Sequence, residues 1–164
     1  MRHALLSALA IAVVVTGCAG GPTTPSTTSR SLPASGGLPA VDTAAAQRLL
    51  SADETLQTLD FPASGTKTLS GRIVGYKSVA YALPVRQGQR LEVTMESPSS
   101  SAYFNIQDAR DTSGAALFAG EAAGTNTALI RASEDATYVI RPYLNRAVAR
   151  RGESANYTLK IERQ

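Results

Sequence analysis

The chain has 164 residues, and a leader of 17 that reads as a removable signal leaves 147, enough for one folded domain and too few for two of ordinary size. Apolar residues make up 43%, charged ones 18% and aromatics 5%, with no Trp, which fits a small globular domain rather than a disordered or membrane-spanning chain. His3, the only histidine, falls in the leader, and Cys18 is the only cysteine. The mature chain therefore lacks the parts for a Ser-His-Asp or Cys-His nucleophile, for the common His or His/Cys zinc sites, and for an internal disulfide.

Met1-Arg2-His3 is a short basic start, and Ala4 to Val15 is an apolar run of 12 residues. That run is too short to cross a hydrocarbon core of about 30 Å as a helix, so it reads as a signal-peptide core. Val15-Thr16-Gly17-Cys18 follows at once. It resembles the lipobox of bacterial lipoproteins, in which small residues admit the chain to the peptidase and the cysteine thiol takes the glyceride. The resemblance implies cleavage before Cys18 and its acylation with palmitate-type chains. At about 0.8 kcal/mol for each buried CH₂, several such chains hold a protein in a membrane almost permanently. Ala19 stands where an inner-membrane retention signal carries Asp, so the analogy places the protein on the outer membrane, facing the periplasm.

Residues 18–40 read as the lipidated Cys and a linker, dominated by Gly, Pro, Thr and Ser, that cannot bury enough apolar surface to offset its ordering entropy. A tether of some twenty such residues spans about 25 Å on average. Residues 41–65 form a helical lead-in: Asp42 and Thr43 are suited to cap a short helix through Ala44, Ala45, Leu49 and Leu50, ending near Ser51.

From 66 to 164 the apolar period is two. Leu69 and Ile73; Val79, Tyr81 and Leu83; Leu91, Val93 and Met95; Ala102, Phe104 and Ile106; Leu117; Leu129; Tyr138 and Ile140; and Tyr157, Leu159 and Ile161 mark about eight short strands separated by turn residues. This is the pattern of an all-β fold, an antiparallel sandwich or small barrel.

Two acidic pairs, Glu92 with Glu96 and Asp108 with Asp111, are the residues to weigh for glycosidic chemistry, which needs no histidine. Glu92 alternates with inward residues and the two Asp lie in a polar loop without calcium-loop spacing, so all read as solvated charge. No cofactor or metal is implied. The mature chain has 15 basic and 13 acidic residues, a net charge too small to argue for nucleic acid. The basic residues are concentrated, however: Arg141, Arg146, Arg150 and Arg151 fall within eleven residues that contain no acid. If Leu144 to Arg150 makes a helical turn, Arg146 and Arg150 share a face, and two guanidinium forks aimed one way can grip a carboxylate. Tyr81, Tyr138 and Tyr157 keep register with core residues. Tyr103 is out of phase with Phe104, and Tyr76 sits in the turn Gly75-Tyr76-Lys77-Ser78, so both are surface aromatics of the sort found at interface hot spots.

Gly71-Arg72-Ile73-Val74-Gly75-Tyr76 through Tyr81, the Gly88-Gln89 turn, Ser101-Ala102-Tyr103-Phe104-Asn105-Ile106 and above all Arg141 through Glu153 resemble the periplasmic inhibitors of goose-type lysozyme. The similarity covers about Thr66 to Glu162. It implies an eight-stranded antiparallel sandwich, not an enzyme, that inserts loops into the lysozyme cleft and plugs it against the catalytic Glu. The matching contact positions are Tyr76, Tyr103 and Asn105 on a strand edge, Arg146, Arg150 and Arg151. The goose-type lysozyme is then the protein partner and the membrane is met through the lipid anchor. The alternative from the residues is a non-inhibitory envelope module that binds glycan or another envelope protein through the same basic loop.

Overall fold

The computed structural model describes residues 37–164. The signal segment, Cys18 and most of the linker lie outside the described residues. No helix among the described residues is long and apolar enough to cross a membrane.

The domain is a sandwich of two sheets. One has five strands in the order β1 (Glu54–Thr58), β3 (Ser78–Val85), β8 (Ala136–Leu144), β5 (Ala102–Asp108), β6 (Phe118–Ala119). The other has four, in the order β2 (Gly65–Val74), β9 (Ser154–Arg163), β4 (Arg90–Glu96), β7 (Thr127–Arg131). All pairings are antiparallel except β1 with β3. The all-β sandwich expected from the period-two pattern is therefore the fold observed.

Alternation explains the core. Tyr81, Leu83 and Val85, Phe104 and Ile106, and Tyr138 and Ile140 face Ile73, Leu91, Val93, Leu159 and Ile161 across the two layers, all buried. The buried hydroxyls of Tyr81 and Tyr157 meet at 2.9 Å, which gives each a hydrogen-bond partner. Burial, and then the bond to Tyr81, raises the Tyr157 phenol far above its ordinary range. Gly71 pairs with Tyr157 across β2 and β9, and a Cβ there would overlap the Tyr157 ring and hydroxyl. Its lack of a side chain is what admits the tyrosine.

Three features differ from the sequence reading. First, nine strands form among the described residues where about eight were expected. Strand β1 lies inside the stretch read as a helical lead-in, because Glu54-Thr55-Leu56-Gln57-Thr58 carries only one apolar residue and gives no alternation to detect. Helix α1 (Thr43–Arg48) forms as expected, with the Asp42 carboxylate accepting from the Ala45 N–H at 2.8 Å. Second, the lead-in helix docks on the outer face of the five-stranded sheet, a placement the sequence reading did not give: Ala45 and Ala46 of α1 pack on Ala80, Ala82, Ala109 and Val139 in a second buried cluster. Small side chains on both sides let helix and sheet approach closely. Third, Leu129 points outward, at 65% exposure, while Ala128 and Ile130 face the core. The ladder with β4 sets Ala128 opposite Val93 and Ile130 opposite Leu91, so pairing overrides the bulkier residue.

Arg163 closes β9 as the one buried charge among the described residues, 2% exposed. Its guanidinium stacks 3.9 Å from the Phe61 ring centre and donates to the Phe61 carbonyl at 3.2 Å. Burial lowers its pKa to about 10, with the Asp60 carboxylate pulling the other way.

Candidate functional site: a basic helical turn beside a tyrosine hairpin

Helix α3 (Arg146–Arg150) occupies the segment in which a helical turn was the condition for a shared arginine face. Asn145 caps it, its side-chain carbonyl accepting from the Val148 N–H at 3.1 Å. Ala149 and half-buried Val148 turn toward the core, so Arg146 and Arg150, one turn apart, are both exposed. Among the described residues neither forms an ion pair.

The β2–β3 hairpin tip is fastened to the same end of the sandwich. Gly75 donates its N–H to the Glu153 carbonyl at 2.8 Å, and a Cβ on Gly75 would stand 3.3 Å from the Ala149 carbonyl. With φ at +58° as well, this position suits glycine. The tip thereby carries Tyr76, 51% exposed, beside the helix that carries the arginines. On the third connection at this end, Ser101 accepts the Asn145 N–H at 2.8 Å, just before β5 begins.

The remaining candidates are placed less favourably. Tyr103 is half-buried on β5 opposite Tyr143, ring centres 6.3 Å apart, on the outer face of the five-stranded sheet. Asn105 lies two residues further from α3, half-buried, with its side-chain oxygen enclosed and without a hydrogen-bond partner among the described residues. Arg151 is committed to Glu153, Nε to Oε1 at 2.6 Å, in an exposed pair. Such a pair holds at most about 1 kcal/mol and yields readily to a better partner.

Arg141, the first arginine of the block, is structural. It reaches Glu54 with two nitrogens, at 2.9 and 2.6 Å, and Gln107 with a third at 2.8 Å. Burial alone would raise the Glu54 carboxyl; bonds from Arg141 and Ser51 outweigh it and hold the pKa below the ordinary value. Sequence reasoning missed Val74, 45% exposed at the hairpin tip, and Arg72 and Lys77 near it, both exposed. The signal was available: Ile73 as an inward residue forces Val74 outward.

No family model matches the sequence, and no curated protein matches it significantly. Among solved structures, Aeromonas hydrophila PliG, a periplasmic lysozyme inhibitor of g-type lysozyme, superposes with a TM-score of 0.60 at 27% identity, over 68% of this chain and 98% of that one. The chain has the fold of the g-type lysozyme inhibitors. The Salmonella Typhimurium PliG matches with a TM-score of 0.50 at 18% identity, over 66% of this chain and 97% of its own. A PliG mutant from Escherichia coli gives 0.50 at 16% identity, over 69% and 100%. These two attest the fold alone. The inhibitor fold spans nearly all of each of these proteins, and they are inhibitors rather than enzymes.

Proposed function

We propose that this chain is a lipid-anchored envelope protein, facing the periplasm from the outer membrane, that inhibits goose-type lysozyme by entering its cleft with Arg146, Arg150 and Tyr76. Tyr103, Asn105 and Arg151 take places at the rim. The observation that carries this reading is the capped turn of α3, with two exposed arginines that meet no carboxylate among the described residues, braced by the hairpin that presents Tyr76.

The mechanism is electrostatic plugging. A lysozyme that works through a Glu in a deep sugar-binding cleft is blocked when a guanidinium pairs with that carboxylate and the surrounding surface keeps water and glycan out. Arginine suits this because its planar fork matches a carboxylate and stays charged at any working pH. Asn145 and Ala149 fix the helix before the partner arrives, which lowers the ordering cost of binding. Tyr76 adds broad contact area with few rotors to freeze.

The test is inhibition of cell-wall lysis by the mature chain, with hen-type lysozyme for comparison. Arg146→Ala is expected to raise the inhibitor concentration required at least tenfold, about 1.4 kcal/mol, a floor beneath the roughly 2 to 5 kcal/mol lost when a buried charge is left unpaired. Its fold is expected to be unchanged. Inhibition at the wild-type level by that variant removes Arg146 from the site.

A further inference from the structure

On the outer face of the four-stranded sheet, three strands bring unspent polar side chains together. Leu69, Ile73, Met95, Tyr157 and Leu159 face the core, so their neighbours along each strand point outward. The pairing then sets Ser70 beside Thr158, Thr158 beside Glu96, and Arg72 beside Asn156. These residues line an open cleft of about 820 Å³, within the size range of small-ligand sites. The loop after β4 walls it: Ser97 donates its hydroxyl to the Asn156 carbonyl at 2.7 Å and accepts the Ser99 N–H at 3.1 Å. Among the described residues, the side chains of Ser70, Asn156 and Thr158 form no hydrogen bond, and Glu96 forms no ion pair. Lys160, the cation next along β9, bonds Glu162 at 2.9 Å instead. Arg72 spends one N–H on the Ser154 hydroxyl, at 2.8 Å, and meets no carboxylate.

We propose that this cleft binds a short peptide with a free ammonium and a free carboxylate, the ammonium at Glu96 and the carboxylate at Arg72. Ser70, Asn156 and Thr158 serve the peptide groups between. Charge decides the class of ligand. Glu96 and Arg72 stand two strands and two residues apart in register, which separates their backbones by roughly 12 Å. They cannot neutralise each other at that distance, and each lacks a partner of opposite charge. A purely anionic ligand is repelled by Glu96 and a purely cationic one by Arg72, while a neutral sugar would strip water from both charges and return none. An extended tripeptide, roughly 10 Å from end to end, carries opposite charges at the matching spacing. The hydroxyls and the amide in the middle suit its N–H and C=O groups. The site shares no residue with the inhibitor contacts proposed above and stands whether or not the chain inhibits lysozyme.

The test titrates the mature chain at neutral pH with trialanine, following backbone amide resonances. Saturable shifts are expected at Ser70, Asn156 and Thr158. N-acetylated trialanine, without the ammonium, and trialanine amide, without the carboxylate, are each expected to bind at least about threefold more weakly, the scale of a lost exposed ion pair. Two variants assign the charges. Glu96→Gln is expected to weaken trialanine binding and to abolish the preference over the acetylated form, leaving the preference over the amide. Arg72→Gln is expected to do the reverse. Both positions are exposed, so the fold is expected to be kept, and the unshifted resonances of the core report it. No saturable binding, equal affinity for the free and blocked peptides, or shifts confined to another face overturns the proposal. Saturation of the same resonances by an oligomer of N-acetylglucosamine and not by trialanine overturns it in favour of a glycan site.

Discussion

Arg141 and Arg150 stand nine positions apart and carry the same side chain, yet the fold gives them opposite tasks. Arg141 points across the small Ala80 and Ala82 strand to Glu54, 87 residues away in sequence, and its fork is filled. Arg150 ends a helical turn with nothing acidic in reach among the described residues. The sequence shows the cluster but not this division, because the partner of Arg141 is supplied by β1, the strand without alternation. The Glu54 side chain is 6% exposed and that of Arg141 is 24%, so the pair lies between surface bridges and buried ones. Removing the charge in Glu54→Gln is expected to cost about 2 kcal/mol at neutral pH. The folded pKa of Glu54 is depressed, so its contribution is full above the ordinary carboxylate range and is lost as pH falls through the folded value. Urea denaturation of wild type and variant across that range is expected to show a gap that closes in acid; a gap independent of pH would assign the effect to packing.

At the scale of elements, legibility followed burial. Strands with one buried face, such as β4 with Leu91, Val93 and Met95, are plain from alternation, and the α1 cap at Asp42 is plain from its chemistry. Strand β7 is different: Thr127-Ala128-Leu129-Ile130-Arg131 offers both parities, and only the ladder with β4 decides. Helix α3 is five residues long, below the length at which a helix sustains itself in water, so its cap and its docking hold it. Asn145→Ala is expected to cost about 1 kcal/mol of stability, the usual worth of an N-cap. It is expected to weaken lysozyme inhibition by more than that, since frayed arginines must be re-ordered on binding. A calorimetric scan paired with an inhibition assay checks this, and equal small losses in both would show that the helix is organised by its partner.

For the whole molecule, the five-stranded sheet is completed by what precedes residue 66. Strand β1 forms one edge and α1 covers an alanine-lined face, so the segment is part of the folding unit rather than a lead-in. A chain starting at residue 66 is expected to lose cooperative unfolding, or to melt well below one that starts at residue 37, because the Ala80, Ala82, Ala109 and Val139 cluster is then open to water. Equal melting temperatures would reduce the segment to an ornament. The same architecture gathers three connections at one end, and binding geometry is a property of that gathering: Tyr76, Ser101 and Arg150 are far apart in sequence and adjacent only because Gly75 bonds Glu153 and Ser101 bonds Asn145. The measurement that bears most directly on the account is a binding titration of goose-type lysozyme with the mature chain and with its Arg146→Ala/Arg150→Ala variant. The account predicts tight one-to-one binding to the wild type and a loss of at least about a hundredfold in the variant, roughly 3 kcal/mol. Equal affinity for both, or none for the wild type, would contradict it.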